Sequence, residues 1–221
     1  MAQLVKAKSV EEFMSNIIFS PVKTSQFNNN KTINLSYQNP GATCKILLQT
    51  PRMRMPFGTS KFDSDGVVKY TIQLEFVAGS LFHEIMKALD KKILEVVQAN
   101  QRVCLGTSDK NTDFIAARGY TIVKESLSGW PDSFRPKLEV RQGKWQGMAV
   151  DENRRAVDWE EIKAGEAVGI VELGPIWFVA GKFGVKVVLH QIKVWPATSM
   201  TELMIEEDEN ESPQLELQFS P

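Results

Sequence analysis

The chain has 221 residues, of which 43% are apolar and 24% charged; it is long enough to bury one sizeable core and, with two cysteines, is no disulfide-stapled miniprotein. No apolar run approaches the eighteen or so residues of a membrane helix. The formal net charge of −1 hides an asymmetry, because residues 201–221 hold seven acids and no Lys or Arg, which leaves residues 1–200 at +6.

Ser9 stands three residues before Glu12, a capping-box spacing that predicts a short helix from Ser9. Residues 17–22 then read as extended. In 31–38, Ile33, Leu35 and Tyr37 alternate with Thr32, Asn34 and Ser36, and in 67–76 Val68, Tyr70, Ile72, Leu74 and Phe76 alternate with Lys69, Thr71, Gln73 and Glu75, so both are half-buried strands. A further strand is expected at 43–49, followed by an extended loop in which Pro51, Pro56 and Gly58 interrupt regular structure.

One helix stands out. Ser80 caps it, and Phe82, Ile85, Met86, Leu89, Ile93, Val96 and Val97 recur at helical spacing along one apolar stripe. Strands follow at 119–124, 136–141, 167–173 and 176–180, and Val185–Trp195 is apolar on both parities, as a central strand would be. Strands, one long helix, then strands again predict a mainly β fold: an OB-like Greek-key barrel with one inserted long α-helix. A two-sheet sandwich is the alternative. The organisation reads as an N-terminal segment 1–25, a body 26–197 and an acidic tail 198–221, whose composition predicts disorder. Within that tail, Leu215-Glu-Leu-Gln-Phe219 places three apolar side chains among polar ones.

Motifs for catalysis and metals are missing. His83 is followed by Glu84, but the position four beyond it is Lys87, so no two-histidine zinc helix exists. Gly181-Lys182 leads into Phe183 and lacks the upstream glycine of a phosphate loop, and neither Gly-x-Gly-x-x-Gly nor Gly-x-Ser-x-Gly occurs. Glu160 and Glu161 read as solvated charge. The sequence therefore predicts no enzyme, no cofactor and no metal. No secretory leader is visible, and Cys44 and Cys104 read as free thiols of a reducing, intracellular compartment.

Two basic stretches carry aromatics. Arg52, Arg54 and Lys61 accompany Phe57 and Phe62 in the first; in the second, Arg135, Lys137, Glu139 and Arg141 share one strand face, Pro136, Leu138 and Val140 the other, and Lys144 and Trp145 follow at a turn. Cations that neutralise phosphates beside rings that stack on unpaired bases suit single-stranded nucleic acid. Met53 and Met55 either tuck under the first loop with its phenylalanines or stand exposed with them. Trp130, Trp159, Trp177 and Trp195 are assigned mainly to the core. The long helix carries cations and acids mixed on its polar face, which makes it no recognition helix for duplex DNA.

The segments Trp130-Pro-Asp-Ser-Phe-Arg-Pro-Lys-Leu138, Ile176-Trp-Phe-Val-Ala-Gly-Lys-Phe-Gly-Val-Lys186 with the strand running on to Trp195-Pro196, and the tail with Phe219 resemble the single-stranded-DNA-binding proteins of tailed phages and their counterparts in large eukaryotic DNA viruses. The resemblance implies a non-catalytic protein of DNA replication and recombination that protects unwound DNA. It also implies a tail that competes with DNA for the basic groove and recruits DNA polymerase or helicase-primase, here through Glu206, Glu207, Asp208, Glu209, Glu211, Glu216 and Phe219. A homodimer, and a site of action in the host nucleus or a cytoplasmic viral factory, come from the same resemblance. This chain ends Phe-Ser-Pro rather than on the aromatic. The competing expectation is a viral structural or scaffold protein on a β-sandwich, minor-capsid-like, with the tail docking a neighbour.

Overall fold

A computed structural model describes residues 4–64, 66–108, 111–126 and 128–197. Its main strands are β1 (Ile46–Gln49), β2 (Met53–Met55), β3 (Thr59–Ser64), β4 (Val67–Ile72), β5 (Leu74–Glu75), β6 (Ser133–Phe134), β7 (Lys137–Leu138), β8 (Met148–Val150), β9 (Gly165–Val179) and β10 (Lys182–Pro196). Helix α1 (Val10–Asn16) precedes them, and α2 (Leu81–Ala99) lies between β5 and β6.

The pairings close a ring of five staves. The first stave, β1 with β2, meets the second, β4 with β5, where Arg54 faces Glu75. The second meets the third, β6 with β7, through Leu74–Phe134 and Lys137–Thr71. The third runs parallel to β10, with Lys137 beside Val188. β10 and β9 form a long hairpin around Ala180 and Gly181, and β9 returns to β1 and β2 through Leu48–Val171 and Met53–Ala167. The order one, two, three, five, four and back to one, with a parallel three–five contact, is the topology of an OB-like barrel. The expected mainly β fold with one long inserted helix is the observed one.

Alternation dictates which side chains fill the ring. Met53, Met55, Ile72, Leu74, Ala167, Val171, Leu173, Ile176, Leu189 and Ile192 are all essentially inaccessible to solvent. β10 is the central strand expected: β9 occupies one edge while Gly119–Tyr120, β7 and β8 pair in succession along the other, all three parallel to it. The two strands expected at 167–173 and 176–180 are one strand, with a register shift between Leu173 and Ile176, at Gly174-Pro175, that bends it around the barrel. The strand expected at 119–124 shrinks to Gly119–Tyr120 plus one bridge between Lys124 and Ser133.

Helix α2 starts where Ser80 accepts a hydrogen bond from the His83 amide, and it buries Phe82, Ile85, Met86, Leu89, Ile93 and Val97. α1 begins at its own cap, Ser9, which accepts from the Glu12 amide. Phe13 and Ile17 join the same core as the barrel, and Ile17–Phe19 pairs with residues 35–37, so the segment before residue 26 packs into the body.

Candidate nucleic-acid interface

The outward face of the second and third staves carries polar and charged side chains. Inward side chains on these staves take one parity. The other parity, Lys69, Gln73 and Glu75 on β4 and β5 and Arg135 and Lys137 next to them on the third stave, is left facing outward. A groove runs across it in two lobes that share Lys124 and Arg135.

The first lobe is lined by Arg54, Phe57, Gln73, Glu75, Trp130 and Ser133 as well as the shared pair. Phe57 is 61% exposed and Trp130 66%. Arg54 donates through Nη1 to both carboxylate oxygens of Glu75, at 3.1 and 2.9 Å, and the Nε of Arg135 donates to Gln73 Oε1 at 2.9 Å. Each contact crosses between neighbouring staves, so β5 and the residue before it fix two guanidinium groups while their remaining N–H groups stay available.

The second lobe is lined by Phe62, Lys69, Tyr120, Lys137 and Trp177, over Val185 and Val187. Phe62 is 63% exposed and Tyr120 50%. Among the described residues, this lobe's lining contains four cations and no carboxylate. The crowding has an electrostatic signature: burial pushes Lys137 below the ordinary lysine pKa, and the charges of Lys69 and Lys186 push it further. Lys124 is also lowered, chiefly by burial and, among its neighbouring cations, by Arg135, against the opposing pull of Asp90. Cations held in this state favour an anion that can neutralise several of them at once.

The insertion that contains α2 supplies the far wall. Asp90 on α2 accepts hydrogen bonds from the amides of Ile122 (2.8 Å) and Val123 (2.9 Å), which fixes the chain between Tyr120 and Lys124. Burial raises the Asp90 carboxyl to about 6, against the lowering effect of those two amides. Asp132 anchors the Trp130 loop in the same way. One oxygen accepts from the Ser126 amide, and the other meets His83 Nε2 at 3.0 Å and Lys87 Nζ at 3.2 Å, both on α2. Burial would raise Asp132, but the hydrogen bonds from Lys87, Ser126 and His83 together hold it below the ordinary aspartate range. His83 itself stacks on Phe76, with ring centroids 4.6 Å apart. At the other rim, Gly58 lets the Phe57 turn approach residue 162: a Cβ at 58 would stand 1.6 Å from the Ile162 carbonyl oxygen.

The structure sorts the residues singled out from the sequence. Arg54, Phe57, Phe62, Arg135 and Lys137 line the groove. Lys61 is exposed beside Phe62, on the alternate face of β3. The rest lie elsewhere. Arg52 pairs with Glu166 and sits 4.3 Å from the Trp195 ring centroid. Arg141 and Lys144 are exposed on a separate two-stranded hairpin, Val140–Arg141 with Lys144–Trp145, outside both lobes. Trp145 is only 8% exposed; its ring lies on Gly147, where an added Cβ would come within 2.4 Å of it, so it offers no face for stacking. In the expected loop, β2 and β3 form instead, with Met53 and Met55 buried in the barrel and Phe57 and Phe62 outside. The acidic tail residues Glu206, Glu207, Asp208, Glu209, Glu211, Glu216 and Phe219 fall outside the described residues.

Five accessible cations and rings of the lining escaped the sequence reading: Lys69, Tyr120, Lys124, Trp130 and Trp177. Three had a signal. Lys69 takes the outward parity of a strand already recognised, and Trp130 sits between Gly129 and Pro131, a turn setting rather than a core strand. Trp177 likewise takes the parity opposite to Ile176 and Phe178, both buried.

A five-stranded OB-like barrel with a cationic, ring-lined groove on its second and third staves is thus what fold and site define. No family model matches the sequence, and no curated protein matches it. Among solved structures, the chain is similar to the single-stranded DNA-binding protein from bacteriophage Enc34 in complex with ssDNA, at 11% identity over 82% of this chain and 97% of that one, with a TM-score of 0.43. It is also similar to gp2.5, a single-stranded DNA-binding protein encoded by bacteriophage T7, at 10% identity over 73% and 98% of the two chains, with a TM-score of 0.47.

Proposed function

We propose that this chain is a non-catalytic, sequence-independent single-stranded DNA-binding protein that acts in DNA replication and recombination. One observation carries the reading: on the face of the second and third staves, Arg54, Lys69, Lys124, Arg135 and Lys137 share a groove with five accessible rings. An OB barrel binds oligonucleotides on this face and through the loop between its first two strands, here the turn carrying Phe57 and the β3–β4 hairpin carrying Phe62. Paired bases would hide their faces from these rings, so an unpaired strand is the ligand that uses them. Stacking is worth roughly 1–3 kcal/mol per base and works for any base. The cations meet phosphates, which carry no sequence information.

In this reading Glu206, Glu207, Asp208, Glu209, Glu211, Glu216 and Phe219 serve as a recruitment segment for a DNA polymerase or helicase-primase, and the protein acts as a homodimer. The test is a tryptophan-quenching titration with poly-dT at two salt concentrations. Quenching is expected, with log K falling by about 0.7 for each phosphate neutralised per unit of log salt. Binding that ignores salt, or no quenching at saturating poly-dT, overturns the reading.

A further inference from the structure

A second cleft lies on another part of the barrel, where the sheet of β8, β9 and β10 turns its outer face to solvent. Its floor is apolar: Met148, Val150, Val168, Ile170 and Trp195 line it. Met148 is 57% exposed and the other four are half-buried. Among the described residues, Arg154 and Lys193 are the charged ones that line it. Exposed apolar side chains gathered on a sheet face under cations mark a surface that is covered in some state of the protein.

Two features identify the cover. β10 passes through Lys193 and Trp195 and ends at Pro196, and the Ala197 amide donates to the Ala164 carbonyl at 3.0 Å. The chain therefore leaves the described structure at the edge of this cleft, with 24 residues, 198–221, still to come. In those residues, Leu215-Glu-Leu-Gln-Phe219 alternates, so an extended backbone puts Leu215, Leu217 and Phe219 on one side and Glu216 on the other. Three apolar side chains match the floor, and the acidic stretch just before them, Glu206 to Glu209 with Glu211, supplies charge complementary to Arg154 and Lys193.

We propose that residues 215–219 of this same chain dock in the cleft between β8 and the ends of β9 and β10. The tether reaches: seventeen residues separate Ala197 from Leu215, and a random-coil chain of that length would span about 23 Å on average. Tethering also makes the segment's effective concentration about millimolar, so weak contacts suffice. A nucleic acid strand fits this surface less well, because the lone ring is already engaged by Arg52 at 4.3 Å and Lys193 at 4.9 Å, and the aliphatic floor offers no second stacking face. The tail is then stored away from the DNA groove instead of lying in it, and a partner captures it by releasing it from this cleft. The inference does not rest on the DNA-binding reading.

The test uses the full chain with p-benzoylphenylalanine in place of Phe219, irradiated at low concentration and mapped by mass spectrometry. Cross-links within one chain to the peptides around Met148 or Trp195 are expected. They should persist when saturating oligo-dT is present and disappear in the surface variants Met148→Glu and Lys193→Glu, whose melting temperatures stay unchanged. Four results overturn the proposal: cross-links to residues 54–62 or 120–137, cross-links formed only between two chains, loss of the cleft cross-link on adding oligo-dT, or no cross-link.

Discussion

Two faces of this barrel are built from the same kinds of residue and differ in how those residues are used. At the groove, five cations stand among five rings, and the second lobe is lined by no carboxylate among the described residues. At the β8–β10 cleft, a single ring is held by Arg52 and Lys193, and Arg52 is also paired with Glu166. Counting basic and aromatic residues along the chain cannot separate the two faces. The separation lies in how many cations and rings gather on one face and whether a ring has a free side.

The sharpest way to break the comparison is to remove rings from each face. Phe57→Ala with Trp130→Ala should weaken oligo-dT binding by about 2–6 kcal/mol if each ring stacks on one base, measured by anisotropy of a labelled strand; Trp195→Ala should leave affinity within about twofold of wild type. Equal losses from the two faces would refute the assignment. A smaller loss of affinity is expected from Gly58→Ala, in which the clash with the Ile162 carbonyl displaces the Phe57 turn and lowers the melting temperature as well.

Charge comes next. Lys69→Ala and Lys137→Ala should each cut the salt slope by about 0.7, the value of one phosphate contact, whereas Lys193→Ala should leave it unchanged. The depressed lysines set a pH dependence. Because Lys137 and Lys124 lose their protons at lower pH than ordinary lysines, affinity should fall as pH rises toward the lysine range, and Lys137→Arg should blunt that fall. The smallest effect concerns the wall. The folded-state Asp90 carboxyl, raised to about 6 from 3.8, binds its proton more tightly than in the unfolded chain. Its contribution to stability therefore grows as pH drops through 6 and is complete below about 4. Asp90→Asn should flatten the melting temperature over that window, as read by thermal unfolding at stepped pH.

Much of this fold can be read from pattern alone, because strand alternation and helical spacing are local. Ser80, the α2 stripe and the inward Ile72 and Leu74 follow directly. The groove is legible only where parity decides: Arg135 and Lys137 face out because Pro136 and Leu138 face in. Parity fails at Arg141, where the strand breaks after Leu138 and a separate hairpin begins, and composition fails for the tryptophans. Trp145 follows a basic run yet packs on Gly147, while Trp177 stands among apolar residues yet reaches the groove. Tyr120 and Lys124 depend on Asp90, some thirty residues away, and no local pattern records such a contact.

The parallel contact between β7 and β10 joins residues about fifty positions apart. A pairing this remote forms slowly, since the loop entropy is spent before any contact rewards it. A ribosome must also release most of the chain before the third stave has both its neighbours. Until then its outward Arg135 and Lys137 have no finished surface beneath them, so the capacity to hold a strand arrives all at once, with the closing of the barrel.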